Sequence, residues 1–215
     1  MKKLLLATTN PGKFLEIKAG LSDLPFQLLF LPDLEIKTDF EEIGETYEAN
    51  ALAKARHFFN LTGITTLADD SGIEIESLKG EMGVKTRRWG AGEKTSDEDW
   101  IDYFLKRMSA FTLPEERRAK FVCVLALVSK NHHPLAPSSP EEGEFLFRGE
   151  SSGVITPNLQ APIKSGVPLS SCFLPDGCDK VYSALSEEEK GRISHRGRAL
   201  KKLKQHLERF CFMED

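Results

Sequence analysis

The sequence predicts an α/β fold, and three observations carry that reading. Short apolar runs of strand length alternate with amphipathic helical stretches along the whole chain, the pattern of a sheet covered by helices. The 215 residues are 40% hydrophobic and 29% charged, enough for one sizeable core drawn into two lobes around a cleft. There is no internal repeat and no second domain boundary, so residues 1–215 are read as a single domain.

The elements follow in order. Lys3 to Ala7 reads as a buried strand. The opening Met1-Lys2-Lys3-Leu4-Leu5-Leu6-Ala7 superficially resembles an export signal, but Thr8-Thr9-Asn10 cuts the apolar stretch too early. Pro11 to Leu21 reads as a helix with Phe14, Ile17 and Leu21 on one face. Phe26 to Leu31 is a second apolar run, closed by Pro32. The acidic loop Asp39 to Glu48 enters a helix that runs to Leu61 and stops at Gly63, with Leu52, Ala55 and Phe59 as its buried stripe. Ile64 to Ala68 is a strand that Asp69-Asp70-Ser71-Gly72 breaks, after which Ile73, Ile75 and Leu78 alternate with polar residues. Ser96-Asp97-Glu98-Asp99 is a capping box for a helix whose Trp100, Ile101, Phe104, Leu105 and Met108 share a face. Phe121 to Val128 is the most apolar strand. Asn131 to Gly143, rich in Pro, Ser and Glu, reads as a mobile connection, and Phe145 to Arg148 as the next strand. Pro157 to Asp179 fits no element. Ser186-Glu187-Glu188-Glu189 is a second capping box opening a short helix. Gly197 to Phe210 is the last helix, striped by Leu200, Leu203, Leu207 and Phe210.

Bulk chemistry removes some function classes. A net charge of −4 argues against a dedicated nucleic-acid binder. It leaves room for a small anion, because a local cluster of cations can hold phosphates on an acidic protein. No apolar run reaches bilayer-spanning length. The cysteines Cys123, Cys172, Cys178 and Cys211 lack metal spacing and read as reduced thiols of a cytoplasmic protein.

Four clusters have chemistry to offer. Thr8-Thr9-Asn10-Pro11-Gly12-Lys13 joins a buried strand to a helix. The helix start offers free N–H groups and a partial positive charge to phosphate. Asn10 fits the cap, Pro11 the first helical position, and Lys13 adds a cation. The glycine spacing of a P-loop is absent, so an ordinary strand–helix turn competes with this reading. Asp69 and Asp70 are adjacent carboxylates at a strand end. Strand neighbours point to opposite faces, so one can face a cleft while the other braces the turn; a plain polar turn is the alternative. Glu41, Glu42 and Glu45 precede a helix bearing Asn50 and Lys54, where acidic residues often only offset a helix dipole. Lys190, His195 and Arg196 surround a break between two helices; Arg supplies a fixed fork for phosphate oxygens and Lys a point charge.

In this order, Thr8 to Lys13, Glu45 to Ala55, Ala68-Asp69-Asp70-Ser71-Gly72 and Ser194-His195-Arg196-Gly197-Arg198-Ala199-Leu200 resemble the inosine-triphosphatase, or Ham1-like, family over nearly the whole chain. Phe121 to Ala126 and Gly153-Val154-Ile155 are similar to its central strands. The resemblance implies an elongated, two-lobed fold with a central mixed β-sheet flanked by helices, a cleft between the lobes, and a homodimer. It implies a Mg²⁺-dependent pyrophosphatase that cuts nucleoside triphosphates, of non-standard purine types such as ITP and XTP, to monophosphate and pyrophosphate. It assigns Thr8, Thr9, Asn10 and Lys13 to the triphosphate, Glu42 (with Glu41 beside it) and Asp70 to Mg²⁺, and Asp70 to activating water. Ser71, Lys54, Arg88, Lys190, His195 and Arg196 would contact substrate. Neither nucleic acid nor membrane is expected as a partner.

One segment departs from the pattern. Where the family carries Gly-Phe-Gly-Tyr-Asp-Pro, with a Phe stacked on the purine and an Asp in the base pocket, this chain reads Gly166-Val167-Pro168-Leu169-Ser170-Ser171. Met82-Gly83-Val84-Lys85 ahead of Arg88 is also a looser match. The alternatives to the main reading are altered base specificity, a Maf-like enzyme for other modified nucleotides, and a nucleotide binder without turnover.

Overall fold

A computed structural model describes residues 2–34, 36, 40–92, 94–130 and 143–211. Its elements are β1 (Lys2–Leu6), α1 (Pro11–Gly20), β2 (Phe26–Phe30), α2 (Tyr47–Thr62), β3 (Thr66–Ile75), α3 (Asp97–Met108), β4 (Arg118–Val128), β5 (Glu144–Ile155), β6 (Phe173–Pro175), α4 (Glu187–Ile193) and α5 (His195–Cys211). The strands form one mixed sheet in the order β2-β1-β3-β4-β5-β6. β1 lies parallel to both β2 and β3, whereas β3, β4, β5 and β6 pair antiparallel.

The helix boundaries follow their caps. Asn10 caps α1 by accepting from the Lys13 N–H at 3.0 Å, and Pro11 fills the first turn. Thr46 caps α2, which ends at Gly63 in the left-handed region, φ +67°. Ser96 caps α3, and the full capping box of Ser186 and Glu189 opens α4. Each such cap contributes about 1 kcal/mol.

Strand alternation divides the core. Leu4, Leu6, Leu67, Cys123, Leu125 and Leu127 point to one face, under α1 and α5. Leu5, Ala7, Ala68, Val122, Val124 and Ala126 point to the other, under α2. Further along the long strands, Ile73, Ile75, Phe121 and Ile155 join Trp100, Ile101 and Phe104 of α3 in a third core. The two faces make one lobe and the third core makes another. A cavity of about 1350 Å³ opens between them, lined by Glu42 and Tyr47 on one side and Leu78, Met82, Arg88 and Trp89 on the other.

Several expectations are corrected. β3 does not break at Asp69: it runs unbroken, paired with β4 from Thr66↔Val128 to Ile75↔Ala119. The turn preference of Asp-Asp-Ser-Gly yields to a continuous ladder on a strand that is buried at all but Ser71 and Glu74. Gly72 is needed there for a different reason: a Cβ would lie 2.1 Å from the Gly83 carbonyl oxygen of the overlying loop. β5 extends far beyond Arg148, because the same pairing with β4 continues from Val128↔Glu144 to Arg118↔Val154. The α2 stripe is Ala51, Ala55 and Phe58, with Leu52 and Phe59 only half-buried. Pro157 to Asp179 contains a short 3-10 turn, Pro168–Ser171, and β6. Most of the proposed mobile connection, 131–142, and the side chain of Phe210 lie outside the described residues.

Arg117 ties the second lobe together. Its buried guanidinium donates to the carbonyls of Ile155 (2.7 Å), Met108 (2.7 Å), Phe111 (2.9 Å) and Thr156 (2.8 Å). It thereby terminates α3 and β5 together. Arg117→Leu strands those acceptors in the interior, and we expect urea denaturation to show a loss of about 2–3 kcal/mol. A loss below about 0.5 kcal/mol would show that water replaces the guanidinium without penalty.

Candidate active site

The site lies at the end of β1, where Thr8-Thr9-Asn10 leads into α1. Thr8 is buried, and its hydroxyl accepts from the Asn10 N–H at 3.1 Å. Thr9 is exposed. The Asn10 amide donates to the Gly166 carbonyl at 2.9 Å, which ties this turn to the second lobe. Lys13, in the first turn of α1, reaches across to Asp69 at 3.2 Å.

The two aspartates use opposite faces of β3, as strand geometry requires. Asp69 pairs in register with Leu125, on the α1 and α5 side, and Asp70 with Val124, on the α2 side. Asp69 accepts from Arg196 Nη2 at 3.2 Å and from the Ser71 hydroxyl at 3.3 Å. Burial works to raise the Asp69 carboxyl, but Lys13 and Arg196 overcome it and hold it well below the usual carboxylate range. Asp70 lies in a different field. Its Oδ2 accepts from Asn50 Nδ2 at 3.0 Å. Burial, followed by the nearby Glu42 charge, pushes its carboxyl up to about 6. One aspartate is therefore held ionised, and the other is the more readily protonated.

Glu42 is half-buried and Glu41 exposed. The Glu42 carboxylate pairs with Lys54. Its backbone carbonyl accepts from Arg88 Nη1 at 2.6 Å, and Arg88 Nη2 also donates to the Val84 carbonyl at 3.3 Å. In this structure Arg88 thus grips backbone. Asp70 and Glu42 are the residues that would hold a divalent cation through oxygen ligands. Their mutual repulsion, visible in the raised Asp70 carboxyl, is what such a cation relieves. Among the described residues no group of three or more His, Cys, Asp or Glu side chains forms a metal cage. The donor set fits a cation that brings further ligands with a phosphate.

Lys190 and Arg196 are more enclosed than the sequence implies. They are 4% and 2% exposed, and both ion-pair with Glu16 on the inner face of α1. Arg196 Nη2 also donates to Ser71 at 3.0 Å. His195 is 6% exposed and stacks on Phe121, with ring centroids 4.7 Å apart and planes 14° apart. Burial and then the adjacent Arg196 charge push its imidazole well below its ordinary value, so it is neutral. Its Nδ1 has no hydrogen-bond partner among the described residues.

The structure thus brings Lys13, Asp69, Ser71 and Arg196 into one network, flanked by Asp70, Glu42 and Lys54 and backed by Glu16 and Lys190. Sequence reasoning missed Glu16, and it named Asn50 beside Lys54 without giving it a role. Glu16 had a faint signal: it sits three residues after Lys13, one helical turn along the same face. In the departing segment, Leu169, Ser170 and Ser171 are buried in the second lobe, and Gly166 also binds the Asp97 carboxylate through its N–H at 2.6 Å.

Comparison with known proteins settles the family. The sequence pattern of the Ham1 family matches residues 4–206. This chain belongs to the Ham1 family. It is 39% identical over 202 residues to the dITP/XTP pyrophosphatase of Thermus thermophilus, covering 94% of this chain and 89% of that one. It is 39% identical over 208 residues to the dITP/XTP pyrophosphatase of Geobacter sulfurreducens, covering 96% and 97%. The solved HAM1 protein of Coxiella burnetii superposes with a TM-score of 0.77 at 30% identity, over 97% of this chain and all (100%) of that one. The mixed sheet, flanking helices and two lobes are therefore a Ham1 fold.

Proposed function

We propose that this Ham1-family chain is a nucleoside triphosphate pyrophosphatase, formed by a single domain over residues 1–215. It hydrolyses non-standard purine triphosphates such as ITP, dITP and XTP to monophosphate and pyrophosphate. Mg²⁺ is its cofactor, the protein is a cytoplasmic homodimer, and neither nucleic acid nor membrane is a partner. The observation that carries this reading is a pair of unlike carboxylates, Asp69 and Asp70, on one strand beside the cation-rich start of α1. The names of the relatives support the same chemistry. Among the described residues no helix is long and apolar enough to cross a bilayer.

The residues divide the work. The α1 N-terminus, Thr8, Thr9, Asn10 and Lys13 bind the polyphosphate. Asp69 keeps Lys13 and Arg196 fixed, so little reorganisation is needed when charge develops on the phosphate oxygens. Asp70, with its raised carboxyl, takes the proton from the water that attacks the α-phosphorus. Asp70 and Glu42 would hold Mg²⁺, which would supply charge neutralisation for the polyphosphate. Lys54 orients Glu42, and Ser71 orients Arg196. Arg88, Lys190 and His195 complete the surroundings of the nucleotide.

The test is a panel of ITP, XTP, dITP, ATP, GTP and the pyrimidine triphosphates with Mg²⁺, following pyrophosphate release. Release from ITP and XTP well above ATP is the expected result; absence of release from every triphosphate overturns the reading. A second reading is supported by Val167 and Ser170, which replace an aromatic and a carboxylate. Stacking is worth about 1–3 kcal/mol per base, so its loss narrows the gap between bases. Rates on ITP and ATP within a few-fold of each other would favour relaxed specificity.

A further inference from the structure

Asn50 is a buried amide on the inner face of α2, 2% exposed, and both of its ends are engaged. Its Oδ1 accepts from the Gly44 N–H at 2.7 Å and its Nδ2 donates to Asp70 Oδ2 at 3.0 Å. The partners fix the amide's orientation: a backbone N–H needs the oxygen, and an ionised carboxylate needs the nitrogen. Gly44 is shaped to this contact. A Cβ there would lie 2.5 Å from Asn50 Oδ1 and 3.2 Å from the Ala49 Cβ. Two residues upstream is Glu42. Its carboxylate is held by Lys54, one turn further along α2, and its carbonyl by Arg88. Asn50 is thus the piece that joins the strand carrying Asp70 to the loop carrying Glu42. It also occupies one Asp70 oxygen and, among the described residues, leaves the other without a hydrogen-bond partner.

We propose that Asn50 is a positioning residue: it sets the separation of the Asp70 and Glu42 carboxylates, so that the seat for a divalent cation is assembled before nucleotide arrives. The inference rests on the pyrophosphatase reading of this site. Asn50 touches neither phosphate nor water in this role; it acts through its two neighbours. Removing the amide lets the Asp70 carboxylate rotate and frees the loop at Gly44. The cost falls on the metal-dependent part of binding, not on the cations of α1.

The experiment compares wild type, Asn50→Ala, Gly44→Ala and the double variant. Calorimetry measures binding of an inosine triphosphate analogue with a methylene in place of the α–β bridging oxygen, once with Mg²⁺ and once with EDTA. Pyrophosphate release from ITP is followed against Mg²⁺ concentration. We expect wild type to bind more tightly with Mg²⁺. Each single variant should lose about tenfold or more of that gain, as expected when a partner that orients a metal ligand is removed. Binding in EDTA should change less than about twofold, since α1 is untouched. Higher Mg²⁺ should restore part of the turnover. The double variant should be no worse than the worse single one, because both remove the same contact. Gly44→Ala approaches that contact from the loop, so it stands as the test if Asn50→Ala does not fold by circular dichroism. Variants that keep the wild-type Mg²⁺ gain, or that lose binding equally with and without metal, overturn the inference alone. A wild type showing neither turnover nor a Mg²⁺ gain overturns the pyrophosphatase reading and the inference together.

Discussion

Asp70→Asn should leave the fold intact and reduce turnover by about three orders of magnitude, measured as pyrophosphate release from ITP at saturating Mg²⁺. The change keeps the shape of the side chain. In the proposed mechanism it removes a negative charge that would face the cation and the group that would receive the proton from water. The variant should also be more stable than wild type in metal-free buffer. Burial and Glu42 raise the Asp70 carboxyl from its ordinary range to about 6. A group raised in this way is protonated more readily in the folded state. Its ionised form therefore costs stability above the unfolded value of about 4, in full once the pH passes about 6. A neutral amide removes that cost, so the thermal midpoint at pH 7.5 should rise, by an amount worth about 1–3 kcal/mol. Retention of a tenth or more of wild-type turnover would show that another group activates water.

Glu16→Ala should be the most damaging change to stability, by about 3–5 kcal/mol in urea denaturation. It leaves Lys190 and Arg196, 4% and 2% exposed, buried without their shared anion. Burial works to raise the Glu16 carboxyl, but Arg196 and Lys190 outweigh it and bring it down to about 2. A carboxyl depressed on folding contributes stability that is present above its unfolded value. That contribution is lost as the pH falls from about 4.3 towards 2. From ordinary value to folded value this is worth roughly 3 kcal/mol, in line with the range expected for a broken buried pair. Wild type should therefore lose stability steeply across that window, and the variant should show a flatter profile there. A loss under about 1 kcal/mol at pH 7 would mean that the two cations find water or another anion, and that Glu16 does not organise them.

Much of the site was legible in the chain. The Asn10 cap, the Pro11 start and the placing of Lys13 in the first turn of α1 all follow from local rules, and the structure bears out that geometry. That Asp69 and Asp70 cannot share a job follows from strand alternation, and they do face opposite sides. The resemblance placed the chain in its family. Sequence reasoning named Lys190, Arg196 and Arg88 as substrate contacts, but gave no sign that the first two are buried against Glu16 or that the Arg88 guanidinium grips two backbone carbonyls. Glu16 was not singled out at all.

What the sequence determined by itself is whatever depends on neighbours within a turn or two: helix starts and stops, the α/β alternation, and the residues available for phosphate and metal. What only the tertiary structure decided is which charges meet. Glu16 and Arg196 are separated by 180 positions, Lys13 and Asp69 lie on different elements, and Asn50 must reach both a loop and a strand. Local propensity acts through backbone sterics and short-range hydrogen bonds, so it is written in adjacent residues. The strength of an ion pair depends on burial and distance, and both exist only once β1, β3 and β4 have brought α1, α2 and α5 together.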